Sequence, residues 1–527
     1  MSGNRLQGVG KSKNPRLSLR ALFVTALIFG ISQGVAAPPT ISLLQPLCVV
    51  PGTDNSLTVT GEDLAGLTNL WTSFRTEILS AKSGSNSVTF QVHVPREQPL
   101  GIGAMRIFGT NGVSNLQLLA VDDRTFIPES GTNTARNTAQ RVRIGDVIEG
   151  ALGETQSKFF QFGGKKNDQV AVEVVAARAG SALDPVVRLV NERGRELAYC
   201  DDDPWTAPDS RLRSHLPAAG NYYLELRDIR YQGGPRYRYR LKFSSDVATP
   251  LHFLPAETNN KPHFAVGWQE EHEPNDKPET ASRISIPQTI RGNLQRTGDR
   301  DYFAFQAKAD ARIAFIGRTR ALGTPCDAAL RLLNSRGEPV NATNSSGGFE
   351  GSITNRFREE GTYFLEVTEL NRRGAPDFFY EIDVFEVQPG FALSMATDRL
   401  NAVQGGEFEL NVTVTRFEFE NPITLVLTGL GGDLVLTNQV LPGKTNTFVL
   451  HGKVPAELKA GDWRQVQVVG RSESEGRSIT RVANTLPALR KLFPQLLFPP
   501  EVFSGWIAFG ITSSKTKEPA KTEEKDE

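Results

Sequence analysis

The feature that most constrains this chain is that it repeats itself. Gly150 is followed by Phe159-Phe160-Gln-Phe162, Leu183-Asp184, Val187-Arg-Leu-Val190, Arg193-Gly194, Gly220-Asn-Tyr222-Tyr223, Gly234 and Tyr239. The series returns as Gly292, Tyr302-Phe303-Ala-Phe305, Cys326-Asp327, Leu330-Arg-Leu-Leu333, Arg336-Gly337, Gly361-Thr-Tyr363-Phe364, Gly374 and Tyr380, with an offset that stays between 140 and 143 residues. Shared composition does not hold an offset over such a length, so two copies of one domain are present. Within each copy an apolar strand runs through Asn to an Arg-Gly turn and into a second strand, the pattern of an antiparallel hairpin. The Gly-x-Tyr-Tyr/Phe element opens a strand whose aromatics alternate with polar residues, so one face is buried. Copies of about 100 residues with strands at this spacing predict β-sandwiches. Helix signals are almost absent.

At roughly 150 residues per domain, 527 residues suggest three or four domains. Hydrophobic residues at 39% and charged residues at 22% exclude wholesale disorder, and 48 Gly with 31 Pro fit a turn-rich folded chain rather than collagen. From Pro38 to Asp123, short alternating runs (Leu57 and Val59, then Val88, Phe90, Val92 and Val94 before Pro95) read as strands and turns. Leu57 to Leu64, Val88 to Pro95 and Pro99-Leu-Gly101 together resemble immunoglobulin-like modules of the IPT/TIG type. After Gln388-Pro-Gly390, the alternation of Phe408, Leu410, Val412 and Val414, with Ile423 to Leu427 and Phe448 to Leu450, predicts another immunoglobulin-like sandwich ending near Thr485. Residues 486–512 mix apolar residues with Pro487, Pro494, Pro499 and Pro500, which disfavour helix. They read as an extended segment packed on a neighbouring domain or, alternatively, as a docking or membrane-surface segment. The last 15 residues, with four Lys and five acids, read as a solvated tail. The expected fold class is all-β, with tandem β-sandwiches over 38–123, 138–245, 262–387 and 388–485.

The first 37 residues hold Arg5, Lys11, Lys13, Arg16 and Arg20 and no acid, then an 11-residue apolar run from Ala21 to Ile31 and small residues up to Ala37. This is the pattern of an export signal, and the run is well short of the ~20 residues that span a bilayer. An exported chain is therefore expected, periplasmic, secreted or at the cell surface. Beyond the leader, 54 basic residues face 59 acidic ones, and neither a basic surplus nor a basic stripe speaks for nucleic acid. Cys48, Cys200 and Cys326 are too few and too far apart for a disulfide framework or a zinc knuckle.

The second copy opens with Glu270-Glu271-His272-Glu273-Pro274-Asn275-Asp276, and Asp299 and Asp301 stand just before its aromatic strand. Like charges this close repel unless a cation sits between them, and oxygen donors alone favour a hard ion such as calcium over zinc. Alternate residues of an extended segment point the same way, so Glu271, Glu273 and Asn275 can converge, with Asp276 approaching from the turn; Asp299 and Asp301 repeat that spacing. These six residues are the candidate metal ligands. The alternative is that they are solvated loop acids, or that Asp276 caps a turn. Asp201-Asp202-Asp203 with Asp209 is a weaker candidate in the first copy.

Glu273-Pro274-Asn275-Asp276 and Gly298-Asp299-Arg300-Asp301-Tyr302-Phe303 resemble the opening motifs of the bacterial pre-peptidase C-terminal (PPC) domain family. The resemblance covers 268–387 well and 138–245 in its strands. It implies β-sandwiches appended to secreted peptidases or other exported proteins. In the collagen-binding members a Glu-x-Glu-x-Asn-Asp segment binds calcium, and Glu271 to Asp276 matches it. The first copy departs from the pattern: 129–136 lacks the acidic cluster, and Gln156 and Lys158 replace Asp299 and Asp301.

Enzyme motifs are missing. His272-Glu273 begins like a zinc-protease helix, but Pro274 blocks the helix and position 276 is Asp where a second His is needed. No Gly-x-Ser-x-Gly elbow occurs. The expected function is binding or scaffolding on an extracellular protein or polysaccharide, with calcium as cofactor. The alternative is an exported peptidase-like hydrolase or its accessory subunit.

Overall fold

A computed structural model of the chain describes residues 38–203, 206–246, 250–254, 267–319, 322, 324–343, 351–429, 435–474 and 476–513. The leader, Trp205 and the end of the charged tail lie outside them. Strand formation follows side-chain alternation. In Ser87–Val94 the residues Val88, Phe90, Val92 and Val94 are fully buried while their neighbours face outward, and in Glu407–Phe417 Phe408, Leu410, Val412 and Val414 do the same. Each such strand buries one face, so sheets pair face to face, and the fold is a set of tandem β-sandwiches.

In the first sandwich one sheet runs in the order Thr40–Gln45, Thr53–Glu62, Ser87–Val94, Glu77–Ser83. The facing sheet runs Cys48–Val49, Gln117–Val121, Gly101–Gly109, Asn69–Thr72. Strand Gly101–Gly109 is buried along nearly its whole length, because its sheet has a second layer on its outer face.

The second and third sandwiches share one strand order. In the second, Ile127–Pro128, Val147–Ala151, Arg238–Ser244, Gln169–Val175 and Arg211–His215 face Gln140–Arg141, Ser157–Gly164, Gly220–Asp228, Pro185–Asn191 and Glu196–Cys200. In the third, Trp268–Glu270, Gln288–Asn293, Phe379–Glu386, Arg312–Arg318 and Ser352–Arg356 face Ser282–Arg283, Arg300–Ala307, Gly361–Glu369, Ala328–Leu333 and Pro339–Ala342. Both place their two short opening strands parallel to the next strand. Equivalent aromatics fill the cores: Phe162 stacks on Tyr222 at 5.9 Å, and Phe305 on Tyr363 at 6.2 Å.

The fourth sandwich corrects the reading of the C-terminal region. Its second sheet runs Arg399–Val403, Ile507–Thr512, Trp463–Ser474, Ile423–Thr428, Val440–Leu441. Strand Ile507–Thr512 is interior, so this sandwich extends to residue 512 rather than ending near 485. The prolines do not exclude helix either: Leu486–Leu492 is an α-helix with Pro487 in its first turn, where the missing N–H has no partner to lose. Ala488, Leu489, Phe493, Leu496 and Phe503 are buried in one cluster with Cys48, Ile102, Leu118 and Ala120 of the first sandwich. The apolar side chains expected to dock on a partner are consumed inside the chain.

Polar contacts reinforce these joints. Arg240, wholly buried, pairs with Asp122 at 2.8 Å and Glu149 at 2.9 Å, and Lys242 meets Asp122 at 3.0 Å. Residues after the second sandwich return to the first, with Ile102 N donating to His252 O and Leu254 N to Ile102 O. Arg106 pairs with Asp398 at 2.8 Å, and Asn401 exchanges two hydrogen bonds with the Val113 backbone, joining first and fourth sandwiches.

Candidate metal centre

The entrance of the third sandwich gathers the acids that the sequence marked. Glu271 follows the short strand Trp268–Glu270, and its Oε1 accepts from Asn293 N at 2.7 Å. Gly292 makes this approach feasible, since a Cβ there would stand 2.2 Å from the Tyr380 hydroxyl and 2.6 Å from Glu271 Oε2. Asn275 is fully buried and accepts from Tyr302 N through its backbone carbonyl at 2.9 Å, which ties the opening segment to strand Arg300–Ala307. Gly298, at φ +80°, turns the chain into that strand. Asp299 and Asp301 then share one side of the chain by the two-residue period of extended backbone.

Glu273, Asp299 and Asp301 each present one carboxylate oxygen, and the three oxygens lie within 4.8 Å of one another. Two like charges about 4 Å apart repel by about 4 kcal/mol at an effective dielectric of 20, so a fully ionised cluster demands a counter-charge. The buried Oδ1 atoms of Asn275, Asp299 and Asp301 have no hydrogen bond, whereas nearly all buried polar atoms in folded proteins do. The other carboxylate oxygens are satisfied. Asp301 Oδ2 accepts from the Tyr380 hydroxyl at 2.6 Å, and Asp299 Oδ2 accepts from Gln295 N at 2.6 Å. Burial first, and the neighbouring Glu271 second, push the Asp301 carboxyl up to about 9. Burial also raises Glu271. Four oxygen donors with no nitrogen or sulfur fit a hard cation with flexible coordination, calcium before zinc. Glu273, Asn275, Asp299 and Asp301 are the residues placed to hold such an ion.

The other two candidates lie outside this set. Glu271 Oε2 is 3.3 Å from Asn275 Nδ2 and 3.2 Å from the Tyr380 hydroxyl, so Glu271 orients the donors. Asp276 pairs with Arg296 at the rim, where that guanidinium also stands 3.3 Å from Asp299 Oδ1. Sequence reasoning missed Tyr380 as a partner of the acids, although a buried tyrosine hydroxyl always needs a partner. In the second sandwich, Asp209 is turned fully inward. It accepts from Ala177 N at 2.7 Å and Arg178 Nε at 2.8 Å, so it anchors a backbone turn and stands apart from any ligand role with Asp201, Asp202 and Asp203.

The class defined so far is an all-β chain of tandem sandwiches with an oxygen-donor cluster at the mouth of one of them. No family model matches the chain. A stretch of 69 residues, 13% of the chain, is 41% identical to a probable subtilase-type serine protease of Deinococcus radiodurans, of whose length it spans 9%. Among solved structures, the chain is similar to the pre-peptidase C-terminal domain of a Bacillus anthracis collagenase, at 14% identity over 23% of this chain and 100% of that domain, with a TM-score of 0.17. It is similar to a periplasmic inhibitor of g-type lysozyme from Aeromonas hydrophila at 12% identity, over 20% of this chain and 96% of that one, with a TM-score of 0.17. Escherichia coli alpha-2-macroglobulin matches at 10% identity, over 84% of this chain and 43% of that one, with a TM-score of 0.14. At TM-scores of this size the likenesses carry no weight for function. No helix among the described residues is long and apolar enough to cross a membrane.

Proposed function

We propose that this chain is an exported, non-catalytic, multidomain binding or scaffolding protein whose second and third sandwiches are two copies of a PPC-type domain. It acts at the cell surface or on extracellular protein or polysaccharide. Calcium held by Glu273, Asn275, Asp299 and Asp301 ties the segment leading into the third sandwich to its strand Arg300–Ala307. The observation that carries the metal reading is the convergence of three carboxylate oxygens within 4.8 Å, beside buried Oδ1 atoms that lack hydrogen bonds. The non-catalytic reading is supported by where the histidines stand. His93 meets Asp54 at 2.8 Å and His451 meets Glu409 at 3.3 Å on exposed strand faces, and no hydroxyl or thiol bonded to either ring is seen among the described residues.

Thermal unfolding of the whole chain with calcium or with a chelator tests the metal reading. A ion bound only by the folded state stabilises it by about 2.7 kcal/mol at a hundred times its dissociation constant. Calcium is expected to raise the midpoint of one transition, and Asp301→Asn to remove most of that rise. A midpoint indifferent to calcium in the unaltered chain ends the reading. A second reading, the accessory subunit of an exported peptidase, draws on the 69-residue likeness to a subtilase-type protease. Co-purification with a peptidase active on casein would favour it.

A further inference from the structure

The second sandwich contains the same docking scheme with one replacement. Glu129, Asn133, Gly150, Lys158 and Tyr239 stand 141 to 143 residues before Glu271, Asn275, Gly292, Asp301 and Tyr380. The contacts correspond atom by atom. Tyr239 donates its hydroxyl proton to Glu129 Oε2 at 2.9 Å, where Tyr380 lies 3.2 Å from Glu271 Oε2. Ala151 N donates to Glu129 at 3.2 Å, as Asn293 N does to Glu271 at 2.7 Å. Phe159 N donates to Asn133 O at 2.7 Å, as Tyr302 N does to Asn275 O at 2.9 Å. A Cβ on Gly150 would meet Glu129 and Tyr239, and one on Gly292 would meet Glu271 and Tyr380. The difference is charge. Where Asp301 points a carboxylate into the cluster, Lys158 brings a buried ammonium into an ion pair with Glu129, both side chains less than a tenth exposed.

We propose that the Lys158 ammonium does in the second sandwich what a divalent cation does in the third: it is a tethered cation that pins the opening segment to the aromatic strand. The inference rests on reading the Glu273, Asp299 and Asp301 cluster as a cation site. One scheme then gives two joints, the one before the second sandwich closed permanently and the one before the third closed only when the ion is present. The two copies therefore differ in a testable property, since calcium removal loosens the third sandwich and leaves the second unchanged. Lys158 also explains how the second sandwich dispenses with acids at positions 156 and 158, because one positive charge beside one Glu needs no further carboxylates.

Calorimetric titration of the whole chain with calcium chloride, together with thermal unfolding, tests this. The unaltered chain is expected to take up one equivalent, and Gln156→Asp/Lys158→Asp, which restores the acid pair, to take up one more. Lys158→Met, which keeps the length and removes the charge, is expected to lower the melting point of the second sandwich, and calcium is expected not to restore it. If the unaltered chain takes up no calcium while the double variant takes up one equivalent, the reading of the third sandwich fails and the assignment of Lys158 stands. If the double variant folds and gains no equivalent, or if Lys158→Met melts as the unaltered chain does, the inference is overturned. Should the double variant not fold, the Lys158→Met melting curve decides alone.

Discussion

Asp184 is half-buried at the start of the strand that carries Val187, and its backbone N–H donates to Asp228 Oδ2 at 3.2 Å. Burial first, then the charges of Asp202 and Asp228, push its carboxyl up to about 6. A folded-state value above the unfolded one of about 3.9 means that the fold favours the protonated form. Its contribution is therefore fully present below about pH 4 and is lost as pH rises through 6. Asp184→Asn keeps the neutral shape, so it is expected to stabilise the chain at pH 7 to 8, with a gain that fades between pH 6 and 4. Melting curves across that range check it, and a gain that persisted at pH 4 would refute the assigned cause. Residue-level chemistry was only partly legible in the sequence. The acids of the third sandwich stood out because they cluster, while Glu129 and Asn133 were passed over because the search was for carboxylates and their counter-charge is a lysine. The constant offset between copies would have found them.

Among elements, strands were legible wherever one face meets water, as in Glu407–Phe417, because the two-residue alternation writes itself into the sequence. Ile507–Thr512 is buried at every position. It therefore shows no alternation and reads as an undefined apolar stretch, which is why the fourth sandwich was cut short near 485. The helix Leu486–Leu492 was missed because proline breaks helices from the interior and not from the first turn. At the opening segments the critical positions are glycines rather than acids. Gly292→Ala would press a methyl against Tyr380 and Glu271, and overpacking of this kind costs about 1 to 3 kcal/mol. Because Glu271 orients Asn275, the substitution is also expected to shrink the calcium-dependent rise in melting temperature. Gly150→Ala is expected to cost a similar amount without touching that rise. Equal calcium responses in the two variants would separate Glu271 from the metal centre.

Across the whole molecule, the sandwiches differ in how far each depends on its neighbours. The third has a core of its own, from Ile290 and Phe303 through Leu330, Phe357 and Tyr380 to Val384, and the ion pair Arg312 to Glu418 at 3.3 Å reaches the fourth from an exposed edge. The first has one core between its sheets and a second against its outer face, where Leu47, Cys48, Ile102, Ala104, Leu118 and Ala120 meet Val175, Leu251, Leu489, Phe493 and Phe503. Its sheet is thus covered by segments that arrive more than 100 residues later in the chain. Burying apolar area contributes about 25 cal/mol per Å², so an isolated first sandwich would lose that layer and present a contiguous apolar face of the kind that drives aggregation. A fragment of residues 38–123 is therefore expected to aggregate or to melt without cooperativity, whereas residues 267–388 are expected to fold alone and unfold in one transition. Within the whole chain, Phe493→Ala should cost about 3 to 5 kcal/mol and lower the transition that includes the first sandwich, leaving the third untouched. Circular dichroism melts of the two fragments and calorimetry of the variant measure this directly. A monomeric first fragment with a sharp transition would mean that the C-terminal helix is a cover and not a structural partner.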